Sequence, residues 1–139
     1  MHIRPFEEKD RSAVIRLWKE TGLVVPHNDP DKDIDRKLEV NPELFLVGEA
    51  GGELVATVMG GYEGHRGWIN YLAVKPGRQR SGHGRLMAEA VERLLAAKGC
   101  PKINLQIRAT NTDVIEFYTA LGYGNDNVVG LGKRLIQDQ

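Results

Sequence analysis

A single cysteine, Cys100, stands in the chain, so an internal disulfide is excluded. With only four scattered histidines, a thiolate zinc cluster is excluded as well, and a reducing cytoplasm is the expected compartment. Long apolar runs are missing: the longest, such as the four residues Leu44 to Val47, fall far short of the roughly 18 that span a bilayer. No membrane partner is therefore expected. Met1 to Asp10 has no apolar core and carries acids early, which argues against a signal or transit peptide. Repeats and low-complexity tracts are absent. Neither charge sign is in excess, since 19 Lys+Arg stand against 19 Asp+Glu, and no nucleic-acid partner is expected for a surface that is not broadly basic. At 139 residues the chain has room for one soluble domain, spanning 1–139.

Glycine is what the chain has in plenty. Sixteen of 139 residues is about 12% against a usual ~7%, and ten of them fall between Gly48 and Gly84. The zero net charge also conceals a pattern. Residues 1–63 carry 13 acids and 8 bases, net −5; residues 64–88 carry no acid and five bases, Arg66, Lys75, Arg78, Arg80 and Arg85; residues 89–139 carry 6 of each. The middle segment is a local anion attractor.

Along the chain, His2 to Phe6 reads as a first strand. Asp10 is placed to cap a helix with Val14, Leu17 and Trp18 on one face, stopped by Gly22. An acidic second helix carries Ile34 and Leu38 and ends at Asn41-Pro42. Leu44 to Glu49 and Leu54 to Met59, separated by Gly51-Gly52, form a hairpin pattern, and the turn Gly64 to Gly67 leads into a strand over Trp68 to Val74 that Pro76 ends. A helix beginning near Gly84 presents Leu86, Ala90 and Leu94 beside Met87, Val91 and Leu95, and stops at Gly99. Ile103, Leu105 and Ile107 alternate as a strand, a helix buries Val114, Ile115, Phe117, Tyr118 and Leu121, and Val128 to Ile136 supplies a closing strand. The order βααβββαβαβ is that of a mixed α/β sheet, whose ligand crevice tends to lie beyond the carboxyl ends of parallel strands.

The segment Gln79-Arg80-Ser81-Gly82-His83-Gly84 lies between such a strand and a helix, so its backbone N–H groups have no partner within the helix. Gly82 and Gly84 remove the Cβ atoms that would hold a phosphate away, the helix dipole adds partial positive charge, and Arg78, Arg80 and Arg85 add full charges. The segment is neither a Walker loop, since no Gly-Lys-Ser/Thr follows, nor a dinucleotide fingerprint, since the third glycine is missing.

The block Tyr71-Leu-Ala-Val-Lys-Pro-Gly-Arg-Gln-Arg-Ser-Gly-His-Gly-Arg-Leu-Met resembles the acetyl-CoA signature of the GNAT superfamily of N-acetyltransferases. Asn111 to Tyr123 resembles the later helix of that family, which ends in Phe-Tyr-x-x-x-Gly-Tyr. Asn28-Asp-Pro, Gly60-Gly-Tyr-Glu-Gly-His-Arg-Gly and Gly132-Lys-Arg-Leu-Ile look like a bacterial, YpeA-type subgroup. The resemblance implies a three-layer sandwich in which strands 68–74 and 103–108 splay apart. It also implies acetyl-CoA as co-substrate and direct transfer to an amine, with no metal. Backbone amides of Gln79 to Gly84 would hold the pyrophosphate, and Arg78, Arg80 and Arg85 would be available to phosphate groups. Backbone groups of Leu72, Ala73 and Val74 would pair with the pantetheine arm and polarise the thioester carbonyl. Asn111 would touch the CoA arm, and Tyr118 would protonate the departing thiolate, a role suited to an ordinary tyrosine pKa of ~10.

The family often supplies a glutamate as general base on the strand corresponding to Trp68–Val74, and here there is none. Glu63 is the nearest acid; a water oriented by Asn70 or Tyr71, or an acid of the second helix, are the alternatives. Asn28 and Asp29 belong to the variable wall of the acceptor site, where Asp29 with Asp31, Asp33 or Asp35 would attract a cationic amine unless it merely caps the helix. His65 and Arg66 sit in a tight turn, as candidates for an acidic group of the substrate or as plain turn residues. Val128 to Ile136, as an exposed strand edge, is a candidate for pairing with a second copy. The acceptor is expected to be a small amine before a peptide or protein amine. An acyl-CoA-binding or sensing module with little turnover is the competing class.

Overall fold

The computed structural model describes residues 1–79 and 81–138. The first strand, β1 (His2–Pro5), runs through a short 3-10 turn (Glu8–Asp10) into α1 (Arg11–Glu20). Asp10 does not cap α1 as its position suggests, because its own backbone is already helical at φ −86° and ψ −12°. Its buried carboxylate instead accepts the Glu7 N–H at 2.8 Å and both terminal nitrogens of Arg4 at 2.7 and 2.9 Å. The Arg4 guanidinium holds the Asp10 carboxyl below its ordinary pKa, and the pair ties β1 to the entry of α1.

Asp29 caps α2 (Pro30–Glu39), its side chain accepting the N–H groups of Asp31 and Lys32 at 2.9 and 3.3 Å. There follow β2 (Phe45–Ala50), β3 (Glu53–Tyr62) and β4 (Gly67–Val74), an antiparallel meander that also pairs β2 with β1. After α3 (His83–Ala97) the crossover returns as β5 (Ile103–Asn104), parallel to the start of β4. The sheet order is β1-β2-β3-β4-β5. Register stops at Trp68 with Asn104, so the strand expected over 103–108 is two residues long and the rest of β4 has no β5 partner.

Alternation along the strands separates two packed faces. Phe45, Val47, Met59 and Ala73 meet Val14, Leu17 and Trp18 of α1 and Ile34 of α2 in one core. Each large side chain buried there is worth about 1.5–3 kcal/mol. On the other face α3 buries Met87, Ala88, Val91 and Leu95, while Leu86 and Leu94 stay exposed, a narrower stripe than the sequence suggests. The sheet admits α3 closely because it lacks side chains there. A Cβ on Gly60 would collide with Val91, and one on Gly67 would lie 2.7 Å from the Cys100 sulfur.

Contacts divide the described residues into Met1–Asn104 with Asp138, and Leu105–Gln137. The second unit holds α4 (Thr112–Ala120), capped by Asn111, whose side chain accepts the Val114 N–H at 3.3 Å. Within it Tyr118 is buried edge-on between Phe117 and Tyr123, whereas Ile115 is exposed. The closing strand expected over Val128 to Ile136 is not formed: among the described residues, 123–138 carry no strand. Gly130 and Gly132 interrupt the run, the left-handed Asn127 (φ 55°) precedes it, and Leu131 and Leu135 are 91% and 87% exposed.

Candidate active site

The site begins where β4 loses its second neighbour. The Lys75 N–H donates to the Val55 carbonyl at 2.7 Å, and strand alternation then turns the N–H and C=O of Val74 and Leu72 to the opposite edge. No β5 residue is in register with them. The Gln79 side-chain amide takes the Val74 carbonyl at 3.1 Å, which leaves the N–H groups of Leu72 and Val74 facing outward. Ala73, by contrast, buries its side chain in the core beside Thr57.

Beyond β4 the chain turns through Pro76 and Gly77, and the Arg78 N–H closes the turn on the Lys75 carbonyl at 2.9 Å. Ser81 bonds back to the Arg78 carbonyl, and Gly82 caps α3 at φ 86°, a left-handed backbone that a side chain would strain. The first bond of α3 runs from Leu86 to the Gly82 carbonyl at 3.1 Å. Among the described residues none accepts from the N–H groups of Ser81, Gly82, His83, Gly84 or Arg85. The Nδ1 of His83 is likewise buried without a partner. A row of unclaimed donors at the start of a fifteen-residue helix is an anion cradle. Its flanking cations are less free than their sequence count implies, since Glu53 at the start of β3 pairs with Lys75 and lies 3.8 Å from Arg78, and Arg85 lies 3.6 Å from Glu89. Arg80 lies outside the described residues.

On the face toward α2, a cleft of about 550 Å³ opens beside Asn70 and Tyr71. Its apolar wall is Leu23, Val40 and Met59; its polar wall is Asp33, Arg36 and Lys37 of α2. Tyr71 is the hub. Its ring stacks on Trp18 at 3.9 Å, its hydroxyl donates to Asp33 at 2.5 Å, and the Asn28 amide donates to that hydroxyl at 2.7 Å. Trp18 donates to the Thr57 hydroxyl, which donates to the Tyr71 carbonyl, both at 2.9 Å. This network holds Tyr71 at φ 52° within a bulge of β4, where Tyr71 and Leu72 together stand against Val58 of β3. Burial first, and the neighbouring Asp33 second, raise the Tyr71 pKa, so the hydroxyl keeps its proton at neutral pH.

The structure thus brings Asn28, Asn70 and Tyr71 together and adds Asp33, Arg36 and Lys37. Asp29 is engaged as a helix cap. Glu63 is exposed and closes the β3–β4 turn by accepting the N–H groups of His65 and Arg66, with Arg66 also bonding the His65 carbonyl at 3.0 Å. That turn lies three residues along β4 from Asn70, roughly 10 Å. The spacing of Asp33, Arg36, Lys37 and Val40, at i, i+3, i+4 and i+7, is the signal that would have picked out the cleft-facing stripe of α2. Asn111 and Tyr118 belong to the second unit, at the cap and in the buried middle of α4.

Comparison with known proteins agrees with this geometry. Residues 11–123 match the model of the acetyltransferase (GNAT) family. An acetyltransferase of Sodalis glossinidius is 49% identical over 140 aligned positions, covering 100% of this chain and 99% of the relative. The crystal structure of Ard1 from Thermoplasma volcanium superposes with a TM-score of 0.76 at 27% identity, over 87% of this chain and 80% of that one. The structure of AAC(6′)-Iy with the bisubstrate analogue CoA-S-monomethyl-acetylneamine superposes with a TM-score of 0.79 at 19% identity, over 96% and 97% of the two chains, and so shares the fold.

Proposed function

This chain belongs to the acetyltransferase (GNAT) family, and from that premise we propose that it moves the acetyl group of acetyl-CoA onto a primary amine, a small molecule before a protein or peptide. Residues 1–139 act as one catalytic domain in this reading. The observation that carries it is a juxtaposition on one strand: Asn70 and Tyr71, which line the cleft, directly precede Leu72 and Val74, whose N–H groups are open. An amine held by the first pair lies within a residue or two, roughly 3–7 Å along the strand, of a carbonyl held by the second.

The donor set fits the co-substrate. A phosphorylated head requires clustered N–H donors and cations, supplied by Ser81 to Arg85 with Arg78 and, outside the described residues, Arg80. An amide-bearing arm requires a strand edge, supplied by Leu72 and Val74, and Asn111 is the family's further contact to that arm. The Val74 N–H polarises the thioester carbonyl and stabilises the oxyanion as the amine attacks. Asp33 is the carboxylate placed to take the ammonium proton, through a water held by Asn70, while Tyr71 keeps Asp33 in position rather than acting as base. As the new C–N bond forms and the C–S bond breaks, Tyr118 gives its proton to the thiolate.

Thiol release measured over a panel of amines and peptides tests the reaction, and calorimetry with acetyl-CoA tests the cradle. Tyr118→Phe is expected to lower turnover about tenfold or more with acetyl-CoA affinity unchanged. Tight binding of acetyl-CoA with no thiol released for any amine would replace this reading with an acyl-CoA-binding module.

A further inference from the structure

Three charged side chains of α2 face the cleft, and their partners differ. Asp33 accepts from Tyr71. Arg36 is committed to Asp138, at 2.9 and 3.0 Å, with Asp33 a further 3.6 Å contact. Lys37 donates to the Gly60 carbonyl, and among the described residues no carboxylate pairs with it. Glu43, which acts on it from a distance, is held at 2.7 Å by Lys98. An ammonium has three N–H donors, so the half-buried Lys37 has donors left beside an apolar wall.

Asp33 and Lys37 stand four residues apart on one helical face, roughly 6 Å along the axis. The cleft therefore offers an anion and a cation at that spacing, with Leu23, Val40 and Met59 lining the same cleft. The strand register agrees on direction. Gly60, which anchors Lys37, pairs with Ile69, so the cation sits farther from Leu72 and Val74 than Asp33 and Tyr71 do.

We propose that the acceptor is an amino acid in the broad sense: an amine carrying a carboxylate several bonds away, its amine beside Asp33 and Tyr71, its carboxylate on Lys37 and an alkyl spacer along the apolar wall. The inference rests on the acyl-transfer reading of this cleft. Burial lowers the Lys37 pKa, and a bound carboxylate offsets that desolvation.

The test is calorimetric titration of the full chain, with and without CoA, using a short series of ω-aminoalkanoates and the alkylamines of matched length. Wild type is expected to prefer the carboxylated partner by about tenfold or more at the best length. Lys37→Gln, which keeps a polar side chain but no charge, should erase that preference, and Lys37→Arg should keep most of it, with melting curves to show that both variants are folded. Equal affinity for the two series, binding of neither, or a preference that survives in Lys37→Gln overturns the proposal. A preference that behaves as expected, with no thiol released from acetyl-CoA for any of these amines, leaves the carboxylate site standing and overturns the acetyl-transfer reading instead.

Discussion

The two halves of the site are made of different material. The cradle at Leu72, Val74 and Ser81 to Arg85 is built from backbone N–H groups that strand and helix geometry leave over. The cleft at Asp33, Lys37, Asn70 and Tyr71, with Asn28 bonded to the Tyr71 hydroxyl, is built from side chains that three separate segments bring together, across as many as 43 residues of sequence. Backbone recognition tolerates change in most side chains and depends on conformation. Side-chain recognition depends on identity, and every partner constrains the next. A shared co-substrate suits the first, and a particular acceptor suits the second.

Substitutions that change chemistry without changing shape should therefore harm the cleft and spare the cradle, and substitutions that change backbone freedom should do the reverse. The largest effect is expected for Asp33→Asn, which keeps an acceptor for the Tyr71 hydroxyl but not the base: turnover falls about a hundredfold with acetyl-CoA affinity unchanged, as steady-state kinetics and calorimetry would show. Next is Gly82→Val, which forces a β-branched residue into a left-handed backbone and should weaken acetyl-CoA about tenfold or more while acceptor binding holds; Gly82→Asn, which tolerates that conformation, should lose much less.

Tyr71→Phe keeps the Trp18 stack and removes the hydroxyl, for a loss of about 1 kcal/mol in a urea titration. It also has a pH signature. Because the folded Tyr71 pKa is raised, its contribution is fully present below the ordinary tyrosine value of 10.0 and is lost as pH rises beyond it, a decline that Tyr71→Phe should remove. The smallest effect is expected for Glu63→Gln, which should leave the pH–rate profile unaltered, since Glu63 serves a turn outside the cleft.

The same contrast governs what the sequence revealed. Gly82 ahead of a helix, Pro76 after a strand and the Gly51-Gly52 turn are local signals, and each stands at the boundary it signals. The glycine excess was only partly a property of the anion loop, because Gly60 and Gly67 serve the approach of α3 to the sheet, a contact between distant segments. The +5 segment is also less positive in space than in sequence, since Glu53 arrives from the start of the neighbouring strand β3. Asp33 could not be told from Asp29, Asp31 or Asp35 until α2 was rotated against β4. The apolar and β-branched residues of Val128 to Ile136 read as strand material, but a strand exists only with a partner to complete its ladder.

Gly60 joins these regions in one residue. One side of it is pressed by Val91 of α3, and its carbonyl holds Lys37. A methyl group added there would act as a wedge under α3, whose far end is the anion cradle, while loosening the grip on the cation of the cleft. Two affinities measured on opposite faces of the sheet would then change together, although the substitution touches neither ligand.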